Sequence, residues 1–212
     1  MPSDATPTYR PDQPEGWLQL GTATVYEASK LPCALDPAIR AISEVPVAGP
    51  AFTVTCSVGD NLALHHALAE APPGSVLVVQ AGQYLAGYWG EVMTVAAQAR
   101  GIAGLVIDGG LRDVAALRAR RFPAFARGVA VFRTVKYDAG VRGEPVVVGG
   151  VLVHTGDWVV ADLDGVVVLP EAVRDAVFAQ AWERARRESE YFRRLEAGET
   201  TLDIYQFGAR RS

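Results

Sequence analysis

A single mixed α/β domain is the fold class that this sequence predicts, on three observations. Short continuous apolar runs alternate with helical apolar spacing between residues 51 and 120. Valine-rich runs separated by Gly and Asp fill residues 129–169, and a charged amphipathic segment begins after Pro170. The alternation is the pattern of βαβ units, whose crossover helices cover a mainly parallel sheet, and the later runs predict a strand-rich half. A chain of 212 residues, 50% of them apolar, can bury a core of ordinary size without staples. With no internal repeat or long linker, the expected organisation is an N-terminal arm (1–19), an α/β/β core (20–170) and a C-terminal amphipathic helix with its tail (171–212).

The prolines and polar residues of the opening, through Glu15, predict a surface arm. A short helix is expected over residues 25–29. Pro46 and Gly49-Pro50 punctuate the chain before Ala51-Phe52-Thr53-Val54-Thr55-Cys56, which reads as a strand. Asp60 is placed to accept an unpaired amide hydrogen at the start of a helix over 61–70, with Leu64 and Leu68 on its buried stripe, and Pro72-Pro73-Gly74 stops it. Val76-Leu77-Val78-Val79 has the continuous apolarity of a strand covered on both faces. A loop over 80–88 leads to a helix over 90–100, whose buried stripe is read as Val92, Val95, Ala96 and Ala99 and which Gly101 ends. A strand over 104–107 and a short helix over 114–120 follow. Strands are then expected at 129–132, 146–148, 151–153, 158–160 and 166–169, and a final helix from Pro170 to about residue 197, terminated by Gly198.

The formal charge of −4 argues against broad neutralisation of nucleic-acid phosphates. Cys33 and Cys56 form no CxxC, so neither a disulfide scaffold nor a thiolate zinc site is indicated. The start of the chain has no basic and apolar leader, and no run is long and apolar enough to span lipid, so cytoplasmic residence without membrane association is expected.

Arg112-Asp113, immediately after Asp108-Gly109-Gly110-Leu111, carries the chemistry. The arginine offers a planar fork of donors for a carboxylate, and the aspartate an oxygen ligand for a hard cation such as Mg²⁺ or Mn²⁺. Away from a site, such a pair is a helix cap or a surface ion pair; the end of a strand favours chemistry. Glu91 stands at the end of the preceding βα unit, where it either supports the first helical turn or contributes to proton transfer. Gly82, Gly87 and Gly90 loosen the loop before it, as a tight turn or as backbone that approaches an anion. Neither GxGxxG nor a P-loop lysine occurs. Tyr84, Tyr88 and Trp89 either wall a pocket or pack internally, His154 ends a strand near the prospective cavity, and Arg118, Arg120 and Arg121 read as a solvated basic face.

Gly59-Asp60-Asn61, Pro73-Gly74-Ser75, Gly90-Glu91 and the run from Arg100-Gly101-Ile102 to Gly110-Leu111-Arg112-Asp113 resemble the family of 4-hydroxy-4-methyl-2-oxoglutarate aldolases and regulator-of-ribonuclease-activity-A proteins. The likeness continues through Gly149-Gly150, Gly156-Asp157 and Asp162-Leu163-Asp164-Gly165-Val166. It implies a swivelling β/β/α fold and a homotrimer or a dimer of trimers with sites between protomers. It further implies a divalent-metal-dependent aldolase that releases pyruvate from a 4-hydroxy-2-oxo acid, with oxaloacetate decarboxylation as an accompanying activity. On this resemblance Arg112 binds the carboxylate of the 2-oxo acid and stabilises the enolate, and Asp113 ligates Mg²⁺ or Mn²⁺. Glu91 contacts metal-bound water, and the backbone of Gly87, Tyr88, Trp89 and Gly90 holds the substrate carboxylate.

Schiff-base chemistry is not needed, and the only lysines, Lys30 and Lys136, lie outside the motif. Two departures stand out. Many aldolase-like members carry another acid soon after Arg-Asp, where this chain continues Val114-Ala115-Ala116-Leu117, and an acid supplied by a neighbouring C-terminal region has only Glu196 or Glu199 as unaligned counterparts. The same family also holds noncatalytic proteins, so a regulator that binds a ribonuclease or its helicase is the alternative reading.

Overall fold

The computed structural model describes residues 9–207. Its elements are, in order, α1 (Pro14–Ser29), β1 (Arg40–Ala41), β2 (Val47–Thr55), α2 (Leu62–Glu70), β3 (Val76–Gln80), α3 (Glu91–Ala99), β4 (Gly104–Leu111), α4 (Val114–Ala119) and β5 (Ala124–Val129). There follow β6 (Val141–Arg142), β7 (Val146–Val148), β8 (Val151–Val153), β9 (Trp158–Ala161), β10 (Val166–Leu169), α5 (Arg174–Glu196) and α6 (Thr201–Ile204). Residues 1–8 of the expected arm and 208–212 of the tail lie outside the described residues.

One sheet runs in the order β1-β5-β4-β3-β2-β9-β10, with β6 beside β2, and β7 and β8 form a separate hairpin. The centre β2-β3-β4-β5 is parallel, as the alternation of strands and helices requires. Strand β2 serves two neighbours in turn: residues 47–50 pair antiparallel with β9 and residues 51–55 pair parallel with β3. It therefore runs through Gly49-Pro50, which the sequence reading took as punctuation.

Three apolar clusters hold the layers together. Helices α2, α3 and α4 cover one face of the parallel strands, where Leu64, Leu68, Trp89, Ile107 and Leu117 are buried. On the other face Val78, Val106 and Phe125 share a core with Val146 and Val153 of the hairpin and with Val166 and Val168 of β10. Residues from both ends of the sheet meet in that core, so the sheet is curled into a nearly closed barrel. Trp17, Trp158 and Phe178 bind α1 and α5 to the outside of β9 and β10.

Several elements depart from the sequence reading. The helix expected over residues 25–29 already begins at Pro14, because Trp17 and Leu20 complete the aromatic cluster against α5. The expected strand over 129–132 lies earlier, at β5: its partner β4 ends at Leu111, and beyond Val129 no strand among the described residues pairs with it. In α3 the buried residues are Met93, Thr94 and Ala97, whereas Val92 and Val95 are exposed, Val92 by 82%. The stripe is rotated because the buried Trp89 indole donates to Thr94 Oγ1 at 2.8 Å while the Thr94 hydroxyl donates to Gly90 O at 3.1 Å, which turns Thr94 inward.

Candidate metal and oxo-acid site

The site lies where β4 ends and the loop after β3 crosses it. The carbonyl of Trp89 accepts the Arg112 amide hydrogen at 2.9 Å, and Trp89 and Leu111 form a parallel bridge, so residues 87–90 lie alongside Arg112. A side chain at Gly110 would meet the Ala86 carbonyl at 2.5 Å, which explains a glycine where the loop lies on the strand.

Arg112 is held by packing. A Cβ added at Gly87 would stand 2.8 Å from Arg112 Cδ, and one at Gly90 would stand 3.3 Å from Arg112 Nε. The two glycines thus form a wall without side chains against which the arginine stem rests. Among the described residues its guanidinium donates no hydrogen bond, and the nearest carboxylate oxygen, Asp113 Oδ2, is 4.0 Å from Nε. A half-exposed cation with its donor fork free is suited to a bidentate carboxylate.

Asp113 occupies the position before α4 without a side-chain capping hydrogen bond; its φ of +59° and ψ of +36° are a left-handed conformation that aspartate tolerates better than most residues and that costs roughly 1–2 kcal/mol. The turn swings the chain from β4 into α4. Oδ2 accepts the Glu91 amide hydrogen at 2.9 Å, and among the described residues Oδ1 takes no hydrogen bond. A Cβ at Gly90 would approach Asp113 Oδ2 to 2.4 Å, so only glycine leaves that carboxylate in place.

Glu91 opens α3, with its carboxylate half exposed. Its Oε1 accepts from Arg120 Nε at 2.9 Å and forms an ion pair with Nη2 at 2.8 Å. The basic cluster that the sequence reading gave to solvent therefore contributes Arg120 to the edge of the site, while Arg118 donates to the Ile42 carbonyl. The signal for Arg120 is its place at the end of α4, seven residues after Asp113.

The other expected residues take more limited roles. The Tyr88 and Trp89 side chains are fully buried, so this stretch can meet a ligand only through its backbone. The Gly87 amide already donates to Phe132 O at 2.8 Å, and Tyr88 donates to Ala86 O at 2.9 Å. Trp89 is engaged in its bridge, which leaves Gly90 as the amide of this stretch with no acceptor among the described residues. Tyr84 is exposed. His154 Nδ1 stands 3.6 Å from Asp157 Oδ2. Glu199 is paired with Arg194 of its own chain. Elsewhere a cleft of about 380 Å³ opens beside Glu44, Pro46 and Asp164, remote in sequence from these residues.

Mg²⁺ and Mn²⁺ take oxygen ligands, and carboxylates are what this edge offers. Asp113 offers a free oxygen, and Glu91, whose amide donates to Asp113 Oδ2, carries a second carboxylate. Among the described residues no group of three or more His, Cys, Asp or Glu could enclose an ion. One direct carboxylate with the remaining positions open fits a hard cation that keeps several waters or takes oxygens from a substrate.

A family model described as RraA-like, Aldolase/RraA, matches residues 22–168. A relative in Halalkalibacterium halodurans, named "Putative 4-hydroxy-4-methyl-2-oxoglutarate aldolase", is 40% identical over 136 residues, 64% of this chain and just under two thirds, 65%, of that one. Among solved structures, an uncharacterized protein from Pseudomonas syringae pv. tomato superposes with a TM-score of 0.80 at 26% identity, covering 97% of this chain and 100% of that one. The RNA-processing inhibitor RraA from Thermus thermophilis gives a TM-score of 0.66 at 28% identity over 71% of this chain and 92% of its own. The curled sheet, the glycine-walled Arg112-Asp113 site and these matches lead to one conclusion: the chain belongs to the RraA-like, Aldolase/RraA, family.

Proposed function

We propose that this protein is a cytoplasmic, divalent-metal-dependent aldolase that cleaves a 4-hydroxy-2-oxo acid to pyruvate and a second carbonyl product, with oxaloacetate decarboxylation as a further activity. The observation that carries the reading is the Arg112 guanidinium, with no hydrogen bond among the described residues, beside the Asp113 carboxylate, both set against glycines with no room for a side chain. The name of the Halalkalibacterium relative supports the same reaction class.

In this reading Arg112 holds the carboxylate of the 2-oxo acid through paired N–H donors, and the Gly90 amide adds a neutral donor. Asp113 holds Mg²⁺ or Mn²⁺, and Glu91 lies beside it. When bound, the metal supplies Lewis-acid polarisation of the 2-oxo group. Loss of the 4-hydroxyl proton turns C4 into a carbonyl, the C3–C4 bond breaks, and its electron pair passes to C3 and the 2-oxo oxygen. Arg112 stabilises that developing charge, and Glu91 Oε2, which takes no hydrogen bond among the described residues, receives the proton directly or through water. Protonation at C3 then yields pyruvate.

A homotrimer, or a pair of trimers, completes the reading. Val92, Val131, Phe132 and Tyr137 are 82%, 82%, 67% and 87% exposed in the single chain. They lie on segments that flank the site, and a second copy of the chain would remove them from water. The second reading, a noncatalytic regulator that binds a ribonuclease or its helicase, draws on the likeness to the Thermus RNA-processing inhibitor.

Pyruvate release decides between the two. Purified protein with Mg²⁺ or Mn²⁺ is expected to release pyruvate from a 4-hydroxy-2-oxo acid, with loss of the signal on chelation and in Arg112→Ala. No pyruvate from a broad panel of such acids, together with specific capture of a ribonuclease or helicase, would favour the regulator.

A further inference from the structure

Glu91 is gripped from two directions. Its amide donates to Asp113 Oδ2 at 2.9 Å, and its Oε1 accepts from Arg120 Nε at 2.9 Å with the charged Arg120 Nη2 2.8 Å away. Both arginine nitrogens face one oxygen, and Oε2 is left without a hydrogen bond among the described residues. Arg120 is itself fixed: its amide donates to Ala116 O at 2.9 Å, and its carbonyl accepts from Gln98 Nε2 at 3.0 Å. Gln98 belongs to α3 and Ala116 to α4, so the arginine is anchored to both helices that flank the site.

Helical periodicity sets Asp113, Ala116 and Arg120 along one side of α4, three and four residues apart. The small Ala116 side chain offers no charge there, and Arg120, one turn later, reaches across to the first residue of α3. A surface ion pair of this exposure adds little to stability. A charge-assisted hydrogen bond with a second guanidinium nitrogen on the same oxygen, by contrast, restricts the torsions of a long side chain, which matters where that side chain must handle a proton.

We propose that Arg120 is the positioning residue for Glu91, holding Oε1 so that Oε2 stays as the acceptor for a proton in the site. The assignment rests on the aldolase reading above. It makes Arg120 part of the reaction without contact to substrate, and gives this chain a basic clamp on the acid at the start of α3 where Ala116 supplies no carboxylate.

A double-mutant cycle tests it on the full chain, with wild type, Arg120→Gln, Arg120→Lys, Glu91→Gln and the Arg120→Gln/Glu91→Gln pair. Two quantities are read: pyruvate release from a 4-hydroxy-2-oxo acid, and Mn²⁺ affinity from water-proton relaxation. Groups that orient a metal site through another residue typically cost ~10–100-fold on removal. Arg120→Gln is expected to lower kcat or Mn²⁺ affinity by about that factor, with KM within ~2-fold, and Arg120→Lys to recover part of the loss. In the Glu91→Gln background, Arg120→Gln is expected to add less than ~2-fold.

Fully additive losses, or Arg120→Gln within ~2-fold of wild type on both readouts, would overturn the assignment. The two readouts separate it from the reading beneath it. Mn²⁺ coupling without turnover would reject the aldolase and keep the clamp; turnover without coupling would reject the clamp alone. Neither turnover nor Mn²⁺ binding in the wild type would overturn both.

Discussion

Gly90→Ala places one methyl group against the site. Gly90 has φ −159° and ψ −166°, extended backbone that alanine adopts freely, so the substitution introduces no torsional strain. The new Cβ would lie 2.4 Å from Asp113 Oδ2 and 3.3 Å from both Arg112 Cγ and Nε. Relief of the first contact to an ordinary van der Waals separation requires a shift of ~1 Å. That shift falls on the carboxylate that accepts the Glu91 amide and is assigned to the metal. A misplacement of ~1 Å in a reacting constellation can cost ~100-fold, equivalent to ~2.7 kcal/mol in the barrier. Pyruvate release by Gly90→Ala should therefore fall by about two orders of magnitude in kcat/KM, with Mn²⁺ affinity reduced and the thermal midpoint within a few degrees of wild type. Activity within ~3-fold of wild type would refute the reasoning, and so would a loss caused by global unfolding at the assay temperature.

Three further outcomes follow from the same geometry. Arg112→Lys keeps the charge and removes the planar fork, so KM for the oxo acid should rise ~10-fold or more while the urea midpoint stays unchanged, because the guanidinium has no hydrogen bond to lose within the described residues. Thr94→Val orphans the indole N–H of the fully buried Trp89 and should cost ~1–3 kcal/mol in urea denaturation. Asp60 ties the segment beyond β5 to the start of α2 by accepting the amides of Leu62, Tyr137 and Asp138 at 2.8, 2.7 and 3.0 Å. Burial pushes its carboxyl up, but these donors and nearby Lys136 outweigh it and hold it below the usual range. Its stabilisation is accordingly complete above the unfolded carboxylate pKa of ~4 and fades as pH falls through the lower native value. Urea midpoints from neutral pH downward should show that acid limb in the wild type, and Asp60→Asn should be less stable at neutral pH with a shallower limb.

The fold was legible in the sequence where burial on both faces leaves an uninterrupted apolar run, as in β3 and β10, which match the expected strands. It was less legible where a tertiary contact decides. The face of α3 depends on the Trp89 to Thr94 hydrogen bond rather than on hydrophobic spacing, and β2 passes through Gly49-Pro50 because β9 pairs with that half. The run at 129–132 is as apolar as any strand but has no partner past Leu111, so Val131 and Phe132 stand in solvent.

The candidate site divides in the same way. Glu91, Arg112 and Asp113 come together as the motif and its intervening helix required. That Gly87 spends its amide on Phe132, a residue more than forty positions later, is information only the folded chain carries. Arg120 looked like one of several arginines on a solvated helix; its spacing from Asp113 sets it on the side of the site, and the approach of α3 to α4 brings it within reach of Glu91.

Oxalate, a planar dianion that resembles the enolate of pyruvate, offers the most direct measurement of whether Arg112 and Asp113 form one metal and oxo-acid site. Calorimetric titration of the wild type, Arg112→Ala and Asp113→Asn with and without Mn²⁺ separates the two contributions. The predicted result is oxalate binding only in the presence of Mn²⁺, lost in both variants while the fold is retained. Oxalate binding that is indifferent to Mn²⁺ and to both substitutions would contradict it.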